Sequence, residues 1–354
     1  MRYAILALIV VSLVFGIALA YAAGRADVRQ AVAAFVADRL DDPVSDDART
    51  VRFVVRPGES GAEIAANLER AGLVRSAWSF RLVARLRGAQ GDLRAGEYEL
   101  RPNMASGEIV EILRSGSDNR FTVLEGWRLA EIADALERRG LAKRDEFLAL
   151  ARSGDFEGEF LRSRPPGASL EGYLFPDTQE ILPGTPTREI VQLMLDNFGR
   201  RFTTEMRDVA AQRGLTVHQV VTLASVVERE AAVADERPLI AGVLFNRMRR
   251  GMKLQIDATV QYAAAGVEPS YSPAGYWKKG LTQADLAVDS PYNTYRYAGL
   301  PPGPIANPGL ASIRAVLEPA ETDYLYFVAK PDGSHAFART LKEHNENVAR
   351  YQSP

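Results

Sequence analysis

The residues best placed to do chemistry lie in Leu223-Ala224-Ser225-Val226-Val227-Glu228-Arg229-Glu230-Ala231. Each residue of a helix turns about 100°, so Glu228 and Glu230 point roughly 200° apart and cannot serve one site together. Glu230 shares its face with Leu223, Val226 and Val227, whereas Glu228 shares one with Val221, Ala224 and Ser225. A carboxyl on the bulkier apolar stripe, near the negative end of a helix dipole, is desolvated and its acid form favoured. Such a group holds a proton near neutral pH, as a general acid for cleaving a glycosidic bond must. Spacing alone favours a plainer arrangement, in which both glutamates are helix-surface charges partnered by Arg229 and Arg237.

Two further stretches carry polar groups suited to a sugar. Phe245 to Asp257 joins a helix end to Leu254-Gln255-Ile256-Asp257 through Gly251, a C-cap residue, and presents Asn246, Gln255 and Asp257. On spacing this is more simply a capped helix followed by a turn. Ser290 to Tyr297 then leads into Gly299-Leu300-Pro301-Pro302-Gly303-Pro304-Ile305-Ala306-Asn307-Pro308-Gly309, too rich in turn formers for a helix or a central strand. Long ordered loops are usually functional. Here Tyr292 can pack on a pyranose face while Asn293 and Asn307 bond hydroxyls; a Pro-rich strap over the core fits the same residues equally well. Leu170 to Thr178 has a similar mixture and suits a second groove wall.

Other chemistries are set aside. The chain has no cysteine, which removes disulfides, thiolate metal sites and cysteine nucleophiles. His218, His335 and His344 are far apart and form no HExxH pattern, and GxSxG, P-loop and GxGxxG fingerprints are lacking. A net charge of −2 argues against nucleic acid as a partner.

The elements that must position these residues follow from length and patterning. The 354 residues suggest two or three domains, and an apolar fraction of 47% with 25% charged residues is ordinary for folded cores. Tyr3 to Ala23 carries no charge and is long enough to cross a hydrocarbon core of roughly 30 Å. It exceeds the usual apolar core of a signal peptide, so residues 1–24 are expected to be an uncleaved transmembrane anchor. Arg2 before the run and Arg25 and Arg29 after it leave the positive-inside rule nearly silent on orientation. Residues 25–50 are expected to be a linker, exposed around Asp41, Asp42, Pro43, Asp46 and Asp47. A small α+β domain over 51–118 follows, with strands at 51–55 and 95–100, a helix capped by Ser60, a second from Ser76 to Leu86, and a third capped by Ser106. Residues 119–354 are expected to form a larger, mainly helical α+β domain. It has a strand at 121–126, a helix through Leu129 and Leu136, an irregular stretch at 145–170, and helices near 187–199, 216–232, 235–250 and 310–317. A β-like segment at 324–329 and a terminal helix complete it.

At these residues a resemblance enters. EGYLFPDT (171–178), LASVVEREAAVADER (223–237), VLFNRMRRGMKLQIDATVQY (243–262), DSPYNTYRYAGLPPGPIANPG (289–309) and LYFVAKPDGSHAF (325–337) closely resemble the endolytic murein transglycosylase family, formerly described as aminodeoxychorismate-lyase-like. The resemblance implies a single-pass inner-membrane protein with a LysM-like domain at 51–118 and a periplasmic catalytic domain. The activity it implies is non-hydrolytic cleavage of the MurNAc-β-1,4-GlcNAc bond in nascent strands, leaving 1,6-anhydro-MurNAc ends and terminating glycan elongation. It implies no metal or organic cofactor, and implies peptidoglycan strands and penicillin-binding glycan synthases as partners. The family's catalytic glutamate maps onto the second glutamate of the E-x-E helix, Glu230; Ala231 follows it, where relatives often carry Thr or Ser. Asn246, Gln255, Tyr292, Asn293 and Asn307 are the expected sugar-orienting residues. Two other readings stay open. A muramidase-type hydrolase would use Asp257 or Asp289 as a second carboxylate, and a non-catalytic peptidoglycan-binding scaffold would need neither. The lyase activity of the older description gives no reason for an anchor.

Overall fold

The computed structural model describes residues 41–116, 119–153, 156–265, 276–278 and 280–352. The expected anchor at 1–24 and most of the expected linker lie outside these residues. Among the described residues no helix is long and apolar enough to cross a membrane. The chain divides into two compact units, one built from residues up to Arg120 together with Glu180–Gly184, the other from Phe121–Gln179 and Thr185 onward.

The first unit is a strand, two helices, a strand and a helix: β1 (Val51–Val55), α1 (Gly61–Arg70), α2 (Ala77–Leu86), β2 (Gly96–Leu100) and α3 (Ser106–Ser115). β1 and β2 pair antiparallel with Val51 opposite Leu100 and Phe53 opposite Tyr98. Period-two alternation turns Phe53, Val55, Tyr98 and Leu100 inward. They meet Ile64 and Leu68 of α1, Phe80 and Val83 of α2, and Ile109 and Leu113 of α3, each at helical spacing. Ser60 caps α1 in a reciprocal box with Glu63, as its position before the periodic run requires. Ser106 does not cap α3. It is the first helical residue, and the backbone N–H of Ala105 before it is satisfied by the Glu108 carboxylate at 2.8 Å.

The second unit is mainly helical. Its elements are β3 (Arg120–Thr122), α4 (Leu129–Arg138), α5 (Arg144–Ser153), β4 (Thr178–Glu180), α6 (Thr187–Arg201), α7 (Thr204–Gln212), α8 (Val217–Glu230) and α9 (Arg237–Arg249). They continue with α10 (Asp257–Ala265), α11 (Gln283–Leu286), α12 (Leu310–Leu317), β5 (Tyr326–Ala329), β6 (His335–Ala338) and α13 (Leu341–Tyr351). β3 pairs with β4, and β5 with β6 in an antiparallel hairpin. The strand expected at 121–126 is confined to Arg120–Thr122; beyond it Val123 N–H still donates to Asp177 O at 3.0 Å, but Gly126 N–H turns away to Asn307 O at 2.8 Å. Residues 144–153, expected to be irregular, are helical: Phe147, Leu148 and Ala151 recur at one-face spacing and are buried.

α8 runs through the centre of this unit, with every residue from Val220 to Val227 buried. Thr216 caps it in a box with Gln219. The segment through Pro301–Gly309 is a strap across it. Ile305 N–H donates to Ser225 Oγ at 3.0 Å, and the Asn307 amide bridges Trp127 O and Leu174 N–H. At Gly172 (φ +87°) any Cβ would stand 2.5 Å from Pro304 Cβ and 2.8 Å from Val221, so glycine is required where the 171–178 segment meets the strap.

Candidate active site

The two α8 glutamates part company as their spacing dictates. Glu228 turns toward the strap, where Gly309 N–H donates to its Oε2 at 2.8 Å and the Arg237 guanidinium stands at 3.5 Å. Its carboxyl thereby joins α8 to α9 and to the start of α12. Glu230 ends the helix on the other side, half-buried. There the Ala258 N–H, in the first turn of α10, bonds its carboxylate, and Asp257 stands nearby as a second negative charge.

These neighbours set the acidity of Glu230. Burial, and then repulsion from Asp257, favour the protonated form; the Ala258 N–H and the Arg229 cation favour the carboxylate. The net result pushes the carboxyl up to about 7. A group balanced there can release a proton and take one back at neutral pH.

The approach to α10 is held rigidly. Gln255 has φ 52°, the one left-handed non-glycine conformation among the described residues. Such a turn persists only where neighbours over-determine it. Gln255 N–H donates to Thr294 O at 3.2 Å, Ile256 N–H to Thr294 Oγ1 at 3.0 Å, and Thr259 Oγ1 lies 2.8 Å from Thr294 Oγ1. Arg247 donates to Gln255 Oε1 and to the carbonyls of Lys253 and Leu325. Tyr295, one residue beyond Thr294, donates its hydroxyl to Asp257 at 2.6 Å, and burial together with the Asp257 and Glu230 carboxylates keeps that hydroxyl protonated.

The five other expected site residues separate into two groups. Gln255, exposed, lies in the turn that delivers Asp257, and Tyr292, half-buried, packs on Tyr262 with ring centres 4.8 Å apart. The amides of Asn246, Asn293 and Asn307 are taken up by the backbone. Asn246 donates to Thr322 O and Tyr324 O, Asn293 to Leu286 O and Val288 O, and Asn307 to Trp127 O. These three hold loops in place. Asn246 also borders a pocket of about 810 Å³ with Arg213, Phe245 and Asp323, which does not include Glu230.

A buried charge cluster beside the site went unread in the sequence. Glu171 is 1% exposed and burial raises its carboxyl to about 8; it accepts from Leu129 N–H at 3.0 Å and lies beside the Arg128 guanidinium. Arg128, fully buried, stacks 4.1 Å over the Tyr262 ring. Arg229 stacks 3.9 Å over Trp277, whose indole N–H donates to Glu131 at 3.3 Å. Glu171 opens the EGY stretch, but its burial depends on Arg128, which no spacing rule connects to it. Among the described residues no group of histidines and carboxylates is arranged to hold a metal ion.

A model of the YceG-like family matches residues 53–350. Over 333 residues the chain is 34% identical to a Bacillus subtilis (strain 168) protein named endolytic murein transglycosylase, covering 89% of this chain and 88% of that one. It is 31% identical over 341 residues to a protein of the same name from Streptococcus pneumoniae serotype 2 (strain D39 / NCTC 7466), of which it spans 61%. A crystal structure of a yceG-like protein from Listeria monocytogenes aligns with a TM-score of 0.57 at 32% identity, covering 84% of this chain and 99% of that one.

Proposed function

The chain belongs to the YceG-like family, and from that premise we propose that it is an endolytic murein transglycosylase in which Glu230 serves as acid and then as base. The observation that carries the assignment of Glu230 is its balance: burial and Asp257 on one side, the Ala258 N–H and Arg229 on the other. Protonated Glu230 gives its proton to the glycosidic oxygen as the C1–O bond breaks and positive charge develops at C1 of MurNAc. The carboxylate left behind is the form that the Ala258 N–H and Arg229 favour. It then takes the proton of the MurNAc C6 hydroxyl while O6 bonds to C1, closing the 1,6-anhydro ring and restoring the acid. No water is consumed. The internal nucleophile, already at high effective concentration, replaces an activated water.

Gln255 and Tyr292 are the proposed sugar contacts, the first exposed beside Asp257 and the second a half-buried ring packed on Tyr262. The first unit is proposed to be LysM-like, in keeping with its strand–helix–helix–strand order. Attachment to the inner membrane through residues 3–23, a periplasmic catalytic unit and association with penicillin-binding glycan synthases belong to the same proposal; the uncharged apolar run supports the first of these.

Asp257 keeps a second reading in play, since a carboxylate beside the acid is what a muramidase needs. Digestion of uncrosslinked glycan strands separates the two. Anhydro-MurNAc ends from the native chain, and none from Glu230→Gln, support the transglycosylase; new reducing MurNAc ends reject it.

A further inference from the structure

The outer side of α2 is built unlike the rest of the first unit. Trp78 is 67% exposed and Leu86 38% exposed, while Arg81 and Arg85 are exposed and Leu82 is half-buried. At about 100° per residue, Arg81, Arg85, Trp78, Leu82 and Leu86 fall in that order across one side of the helix, opposite the buried Phe80, Val83 and Ala84. The helix, AWSFRLVARL, contains no acidic residue. Arg87 just beyond it is paired with Asp41 at 2.9 Å, whereas Arg81 and Arg85 have no carboxylate partner among the described residues. An indole and two leucines flanked by uncompensated guanidiniums make a face that is apolar at its centre and cationic along one edge.

The chain also enters the unit along this helix. The Asp41 carboxylate accepts from Arg87 at the end of α2, and Arg75, just before α2, donates to Pro43 O at 2.9 Å. Asp41, the first described residue, therefore sits between the end of α2 and the start of α3. Even fully extended, the stretch from residue 24 to residue 40 reaches roughly 60 Å at most, so an anchor at 3–23 keeps this unit close to the bilayer. Tryptophan favours the headgroup level of a membrane, arginine binds lipid phosphates, and leucine enters the acyl boundary.

We propose that the Trp78–Arg81–Leu82–Arg85–Leu86 face is a docking surface for anionic phospholipid, laying the first unit against the membrane that the chain is anchored to. This goes beyond the glycan chemistry and rests on the membrane attachment proposed above. Charge complementarity selects the occupant. A neutral glycan face uses aromatic rings and amides, and has no need of two unpaired arginines.

The absence of cysteine makes a clean probe. Leu82→Cys in the full-length chain is spin-labelled and reconstituted in nanodiscs of phosphatidylglycerol with phosphatidylcholine, or of phosphatidylcholine alone. Collisions with oxygen and with a water-soluble nickel chelate are then measured. The expected result is a label shielded from nickel and open to oxygen in anionic discs only, with the shielding lost in Arg81→Glu/Arg85→Glu and in Trp78→Ser. A label at Glu99, exposed on β2, should stay open to nickel throughout. Equal shielding in both kinds of disc would mean the chain's own residues cover the face, and shielding only on addition of glycan strands would assign it to glycan; either overturns the proposal. A label equally open in both discs overturns the docking face alone, while a chain that leaves the discs on detergent removal overturns the attachment as well.

Discussion

Tyr295 donates its hydroxyl to Asp257 at 2.6 Å, joining the tyrosine-rich segment after α11 to the first residue of α10. The bond fixes the carboxylate whose charge bears on Glu230. It also aligns the first turn of α10, from which Ala258 N–H reaches the same glutamate. One loop-to-helix contact thus serves both sides of the balance that governs Glu230.

Glu230→Gln removes the proton donor while keeping the shape of the side chain. Glycan cleavage should fall by about 10³-fold or more, in the range lost with a general acid. Thermal unfolding should show the fold unharmed, since a half-buried carboxyl that resists ionisation is replaced by a neutral amide.

Asp257→Asn should move the pH profile. With Glu230 near 7, the acid form is lost as pH rises through that value, so the rate falls on the alkaline side. Removing a neighbouring negative charge makes Glu230 easier to ionise, which carries this limb to lower pH. Rates measured from pH 4 to pH 9 would reveal it; an unmoved limb would detach Asp257 from the acid.

Glu228→Gln should act on stability instead. It weakens the tie to Arg237 and Gly309 and should cost about 1–3 kcal/mol in denaturant unfolding. The surviving enzyme should keep the native pH profile, because Glu228 is held by Gly309 and Arg237 and is not the proposed acid.

Glu171 gives the fold its own pH dependence. Its carboxyl is raised to about 8 when folded, against an ordinary glutamate when unfolded, so the folded chain binds the extra proton. Stability from this group is fully present below about pH 4.5 and is lost as pH rises toward 8, by on the order of a few kcal/mol. Denaturant unfolding at pH 5 and pH 8.5 should show that loss in the native chain and a smaller one in Glu171→Gln.

Helix periodicity made part of this legible beforehand. The divergence of Glu228 and Glu230 follows from two intervening steps of a helix, and the βααβα order of the first unit follows from alternation, capping and spacing. Periodicity did not by itself choose the acid. Leu223, Val226 and Val227 are buried, but so are Val221, Ala224 and Ser225, and the difference lies in partners from α9, α10 and the strap. Asn246, Asn293 and Asn307 show the limit of reading residue types. An amide that can bond a sugar hydroxyl bonds a backbone carbonyl equally well, and only tertiary placement decides. The strap beyond Gly299 suits groove and cover equally by residue type; its Gly303–Gly309 part is buried, while Tyr295 earlier in the loop reaches Asp257. Likewise α10 was hidden because a turn through a left-handed Gln255 leaves no signature in sequence.

The central claim is that the Glu230 carboxyl exchanges its proton near neutrality, and titrating that carboxyl tests it most directly. With ¹³C in the side-chain carboxyls of glutamate, the resonance missing from Glu230→Gln identifies the group, and its shift is followed with pH. A midpoint at about 7 is the result predicted; a midpoint at the ordinary glutamate value of about 4.3 would contradict it.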